Sequence, residues 1–234
     1  MSHIFHLSQG RYNEARGQIG VMYRQTRDLV QNACVFSSKD KDAVAEEWRR
    51  ELAYRALLML RTAMAVIDYP TTDIPAYDIP ELSGKEKEDV DSIIRATRWA
   101  HAERTESEQG MRVPIRLGYL TRKTIKSHET RLKNPIQISQ ENILLGNVDG
   151  FTQGYYGIRR FVTTPVPFPL IQMARTFLFL YVYTVPFVLL SDESSLLAHC
   201  FSVFVLTYGF VGLELVAIEM DNPFGDDPND FDNM

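Results

Sequence analysis

The longest pattern in the chain lies in its last third. Leu170 to Leu190 is a run of 21 residues whose only charge is Arg175. Leu196 to Ile218 is a second run of 23, broken only by His199 and Glu214. At 1.5 Å per residue the first run extends about 32 Å as a helix, enough to cross a hydrocarbon core about 30 Å thick. The spacer Ser191-Asp192-Glu193-Ser194-Ser195 is polar and short, so the two runs predict a transmembrane hairpin. A hydrophobic pair buried in a soluble domain is the competing reading.

Upstream, the pattern shortens to helical periods. Arg11 to Phe36 sets polar Arg11, Glu14, Gln18, Gln25 and Asp28 against apolar Ile19, Met22, Leu29 and Val30, which predicts an amphipathic helix. A polar connector, Ser37 to Asp42, precedes a second helix from Ala43 to Tyr69, expected to stop before Pro70. Its centre, Ala56 to Leu60, is apolar but bracketed by Arg55 and Arg61, so it is expected inside protein with its arginines available for pairing. Pro70 to Pro80 repeats Asp-Ile-Pro and reads as an extended loop. Ser83 and Glu86 have the spacing of a capping box, opening a charged helix to about Glu106 with Val90, Ile93, Ile94 and Trp99 on its buried side. Arg112 to His128 predicts another amphipathic helix, opening near Pro114. Ile143 to Gly157 is mixed, with four glycines and two tyrosines. No strand alternation persists, so the expected fold is all-α: a transmembrane helical hairpin on a helical cytosolic domain. The expected divisions are 1–10, a helical domain over 11–164, the hairpin over 165–218 and an acidic tail over 219–234.

Charge sharpens this division. The net charge is −5, yet Glu219 to the end holds six acids and no base, leaving +1 for the remainder. Arg112 to Lys133 holds seven bases against Glu129 alone. With Arg159 and Arg160 ahead of the hairpin and only acids in its loop, the positive-inside rule puts both hairpin ends on the cytoplasm-like side. Nucleic acid is not expected to be a partner, because the basic segment has few interleaved aromatics. Cys34 and Cys200 make no disulfide framework and are expected to be small packing residues. The five histidines show no metal-ligand spacing, and there is no phosphate loop, Cys–His pairing or carboxylate pair that would predict an enzyme. In the tail, Asp226, Asp227 and Asp230 gather around a Pro-Phe-Gly turn. That composition suits Ca²⁺ or a solvated acidic cap.

The stretch Asn222-Pro223-Phe224-Gly225-Asp226-Asp227-Pro228-Asn229-Asp230 resembles the bestrophin family of anion channels, including its bacterial and plastid relatives. Thr164-Pro165-Val166-Pro167-Phe168-Pro169, with Arg175 and Pro186-Phe187 behind it, is similar to the entry of the family's third membrane segment, and Gly212-Leu213-Glu214 to the fourth. Arg11-Tyr12-Asn13-Glu14-Ala15-Arg16 resembles the stretch after the pore-lining second segment, and Arg112 to Leu117 a helix of the plant and algal branch. The resemblance implies a pentameric channel for chloride, with bicarbonate a candidate, in a plastid or thylakoid membrane or, alternatively, the plasma membrane. It also implies a Ca²⁺ clasp with carbonyls from Glu219 and Asn222 and carboxylates from Asp227 and Asp230. Pro228 and Asn229 stand where animal members carry acids, which is the pattern of bacterial relatives. The family has two membrane helices ahead of the position of Arg11. The chain is therefore expected to be N-terminally truncated, with Ile4, Phe5 and Leu7 at the cytosolic end of the pore neck. A non-conducting membrane scaffold or regulatory subunit is the alternative.

Overall fold

The computed structural model of the chain describes residues 2–72, 83–97, 111–164, 168–189 and 196–221. Eight helices run through them: α1 (Ser2–Phe36), α2 (Ala43–Thr72), α3 (Gly84–Thr97), α4 (Val113–Lys126), α5 (His128–Arg131), α6 (Ile138–Thr163), α7 (Phe168–Leu189) and α8 (Leu196–Asp221). No strand occurs among the described residues, so the fold is all-α. The chain divides into two compact units. One is built on residues 16–162, and the other joins residues 1–15 to the segment 163–231.

The larger unit is held by a core from α1, α2, α4 and α6. Trp48, fully buried, packs with Leu29, Leu52, Ile125 and Leu144. Its indole N–H donates to the Thr124 carbonyl at 2.8 Å, so the ring is satisfied at both its apolar and polar ends. The apolar centre of α2 is buried as its arginine brackets require: Ala56, Leu58, Met59 and Leu60 lie inside, although Leu57 faces out. Arg55 pairs with Glu51 at 2.7 Å and donates to the Leu120 carbonyl. Arg61 reaches Glu86 at 2.8 Å. The capping box at the start of α3 is present. The Ser83 backbone N–H donates to Glu86 Oε2 at 2.7 Å, and the Glu86 N–H returns to Ser83 Oγ at 3.4 Å. Val90 and Ile93 of the expected buried stripe are buried, while Trp99 lies outside the described residues.

Three elements differ from the sequence reading. Helix α2 continues through Pro70 to Thr72 instead of stopping at Tyr69. A proline in a last turn forfeits one hydrogen bond, and the helix ends two residues later, not before it. Cys34 and Cys200, expected to pack inside, are both exposed. The largest difference is α6, a single 26-residue helix through the glycine-rich segment. Three of those glycines, Gly150, Gly154 and Gly157, are close approaches to α1, while Gly146 has open space around it. A Cβ at Gly154 would lie 3.0 Å from Met22 Cγ and 3.2 Å from the Gln18 backbone oxygen. One at Gly150 or Gly157 would meet the side chain of Gln25 or Gln18 under 3.0 Å. At those three positions α1 occupies the space a side chain would need, at a propensity cost of about 1 kcal/mol each.

Candidate functional site

Helices α7 and α8 are the site's frame. Ile171–Leu189 and Leu197–Ile218 have the length and hydropathy of membrane spans, and only 6% of either is buried. Core helices of a soluble protein would be mostly covered. Here Phe177, Tyr183, Phe187, Phe201, Phe204 and Tyr208 all stand exposed, at 64 to 73%. Such a surface is expected where lipid or other membrane helices, and not water, are the neighbours.

The two helices run antiparallel, because Arg175 meets Glu214 while Tyr181 meets Phe210 further along. Their contact is narrow, with Leu178 and Ala217 buried at 4% each. The aromatic pair is edge-on, centroids 5.0 Å apart. Pro186 lies inside α7, and the Thr184 hydroxyl two residues earlier donates to the carbonyls of Leu180 and Tyr181. Polar groups in this stretch are thus kept within the helix, as hydrocarbon surroundings demand.

Arg175 Nε donates to Glu214 Oε1 at 2.8 Å. Both residues sit four positions inside the same end of their spans, about 6 Å deep at 1.5 Å per residue. Antiparallel geometry therefore brings the two charges to one depth, and they form the pair that intramembrane charges require. Sequence reading placed each near a helix end but did not pair them. The signal was available: positions 175 and 214 lie at nearly matching distances from the hairpin loop.

The other expected site residues are not brought together among the described residues. Ile4, Phe5 and Leu7 fall on the backbone of α1, and their side chains lie outside the described set. Glu219 falls on α8, its side chain likewise outside it. Asn222, Pro223, Phe224, Gly225, Asp227 and Asp230 lie outside the described residues altogether.

One cluster in the larger unit was missed. His128, Glu129 and Glu141 bring one ligand-type atom each within 4.8 Å of one another. The imidazole Nδ1 accepts the Ile136 backbone N–H at 3.2 Å, which assigns the ring proton to Nε2, 3.3 Å from Glu141 Oε2. A metal on Nε2 would displace that proton onto Nδ1, which is already facing a donor. Lys126 Nζ moreover lies 2.6 Å from Glu129 and 3.3 Å from Glu141, supplying the cation. Burial pushes the Glu141 carboxyl up, but hydrogen bonds from His128 and Lys126 outweigh it and hold the group below the usual range. The cluster latches the start of α6. Spacing along the chain could not reveal it, because Glu141 is 13 residues from the histidine.

Among the described residues, the fold is all-α and carries two exposed apolar helices, long enough to cross a membrane, with an ion pair between them. The model of the bacterial and fungal bestrophin proteins matches residues 6–232, so the chain belongs to the bestrophin family. Membership places it outside the enzymes. A voltage-dependent anion channel-forming protein of Synechocystis sp. is 30% identical over 98 residues, which cover 42% of this chain and 31% of that relative. The chain thus spans about a third of the length of the curated relative it matches. A bacterial bestrophin homologue from Klebsiella pneumoniae, solved as point variants, has the same fold. Two of these structures superpose with TM-scores of 0.73 and 0.72 at 20% and 18% identity, covering 99% of this chain and 76% of theirs.

Proposed function

We propose that the chain is a subunit of an oligomeric bestrophin-like anion channel that conducts passively through a central pore. The observation that carries this reading is the match of nearly the whole chain to the family together with an apolar hairpin whose charges cancel internally. The anion channel-forming relative supports it. Chloride is the permeant ion, with bicarbonate a second, and the assembly is a homopentamer. The acidic end of α8 and the Asn222-Pro223-Phe224-Gly225 motif form a Ca²⁺-responsive junction, with Glu219, Asn222, Asp227 and Asp230 as ligands. Ile4, Phe5 and Leu7 sit at the cytosolic end of the neck. A plastid or thylakoid membrane is the proposed location, ahead of the plasma membrane.

The test is reconstitution of the full-length protein into planar bilayers under a KCl gradient. A reversal potential that follows chloride supports the channel. One that follows potassium overturns it. An intact oligomer that passes no current overturns it in favour of the membrane scaffold or regulatory subunit.

A further inference from the structure

Among the described side chains, His128 is the fully buried imidazole, at 1% exposure, whereas His199 is only partly covered. Both of its ring nitrogens are engaged: Nε2–H donates to Glu141 on α6, and Nδ1 accepts the Ile136 backbone N–H. An imidazolium carries a proton on each nitrogen and accepts no hydrogen bond. A second proton on this ring therefore keeps the contact with Glu141 and sets two donors against each other at Ile136. The amide at stake lies in the link between α5 and α6. Leu132 starts that link and Ile136 closes it, both buried in the core around Trp48. Between them Asn134 is anchored separately, its backbone N–H and side-chain amide donating to Asp40 at 2.9 and 2.6 Å.

Charged groups reach this region from every neighbouring element. Glu141 comes from α6, Lys126 from α4, 3.3 Å from Glu141, and Glu129 from the histidine's own helix, 2.6 Å from Lys126. Arg131 turns to Glu47 and Glu51 of α2, where Arg55 also holds Glu51, and Lys133 turns to Asp42. Burial raises the Glu141 carboxyl, but hydrogen bonds from His128 and Lys126 leave it below the usual range, so it is still ionised where an imidazole ordinarily titrates. The hydrogen bonds from Asn134 likewise hold the Asp40 carboxyl low. Mild acid thus alters the ring and neither carboxylate. We propose that His128 is an acid-operated release for the second half of the α5–α6 link. Its second proton leaves the ring on Glu141, drives the Ile136 amide off Nδ1 and lifts Ile136 from the core, while Asn134 stays on Asp40. The device lies within residues 16–162, and its action does not depend on what the hairpin conducts.

The experiment follows hydrogen exchange of the full-length protein in detergent micelles, read by mass spectrometry on overlapping peptides across the link and corrected for the intrinsic pH dependence of amide exchange. For one proton taken up in the ordinary imidazole range, about 6.5, the opening equilibrium rises about tenfold between about pH 7.5 and 5.5. The Ile136 amide should lose protection by that factor, with Asn134 and the Trp48 segment of α2 unchanged. His128→Gln takes up no proton at this position and should show no pH-dependent loss at Ile136. Each protein is compared with itself across pH, so a less stable variant still answers the question. Should that variant not fold, the contrast between Ile136 and Asn134 in wild type decides alone. A change at Ile136 of less than about twofold overturns the proposal. So does an equal loss at Asn134 or across α2, which is general acid unfolding, or a loss that persists in His128→Gln.

Discussion

Removing Arg175 and removing Glu214 should have unequal consequences, even though they break the same bond. The Nε–Oε1 distance of 2.8 Å and side-chain exposures of 40% and 15% place the charges in direct contact but partly screened. At an effective dielectric of about 20, unit charges about 4 Å apart attract by about 4 kcal/mol. Part of this is lost to solvent at the half-open arginine, leaving an expected coupling of about 2 kcal/mol in a double-mutant cycle. Arg175→Leu strands a carboxylate on a short side chain that cannot reach the interface, at a cost of about 3 kcal/mol. Glu214→Gln leaves an arginine whose long stem can carry its head about 6 Å to the boundary, at a cost of about 1 kcal/mol. Arg175→Leu/Glu214→Leu removes both charges and should lie within about 1 kcal/mol of wild type. The exchange Arg175→Glu/Glu214→Arg should recover most of the loss. Detergent-titrated unfolding in mixed micelles measures each variant. A coupling under about 0.5 kcal/mol, or a glutamine variant as damaging as the leucine one, would refute the assignment of this pair as the hairpin's internal lock.

Glycine positions on α6 should separate by what they touch. Gly154→Val drives into the rigid Gln18 carbonyl and should cost about 2 kcal/mol or more, while Gly150→Ala meets only the movable end of Gln25 and should stay within about 1 kcal/mol of wild type. Thermal unfolding of the two proteins side by side distinguishes them. Glu141 predicts an acid transition. Its folded carboxyl lies below the unfolded value of about 4.3, so its stabilisation is complete above that value and is lost as pH falls through the folded one. Glu141→Gln should flatten the stability profile below about pH 5, and an unchanged profile would remove the carboxylate from the latch. Tyr155→Phe should cost about 1 kcal/mol, because the Tyr155 hydroxyl donates to the Met111 carbonyl at 2.7 Å; chemical denaturation reads this directly. Calorimetry with Ca²⁺ should show binding to wild type that Asp227→Ala weakens at least tenfold, and heat-free titrations of both would exclude the clasp.

What could be read from the chain alone follows the range of the interaction that fixes each element. The capping box at Ser83 and Glu86 is a three-residue matter, and the structure closes it as the spacing implies. The hairpin is set by uninterrupted hydropathy, a local property, and α7 and α8 begin and end within three residues of the runs. Helix α6 was illegible for the opposite reason. Its four glycines weaken every local signal, and what makes it a helix is the surface of α1 against which it lies, more than 120 residues earlier. The latch at His128 is likewise assembled from a loop amide, an adjacent helix and the first turn of α6, none recognisable singly. The arginines show both cases. Arg61 was expected to be available for pairing, but its partner Glu86 follows a proline-rich interval and could not be named without the packing of α3.

The same distinction bears on where function resides. Charges that the structure answers, such as Arg175 by Glu214 or Lys126 by Glu141, stabilise a particular geometry, and their replacement is read in folding. Arg116 and Lys123 are exposed, with no carboxylate partner among the described residues, and the Tyr119 ring lies 4.9 Å from the Arg116 guanidinium. Their replacement should change unfolding by no more than about 1 kcal/mol, as for surface positions with one exposed cation–π contact. A reversal at Arg116 and Lys123 that destabilised the protein by several kcal/mol would mean that these side chains have a structural partner beyond the Tyr119 ring.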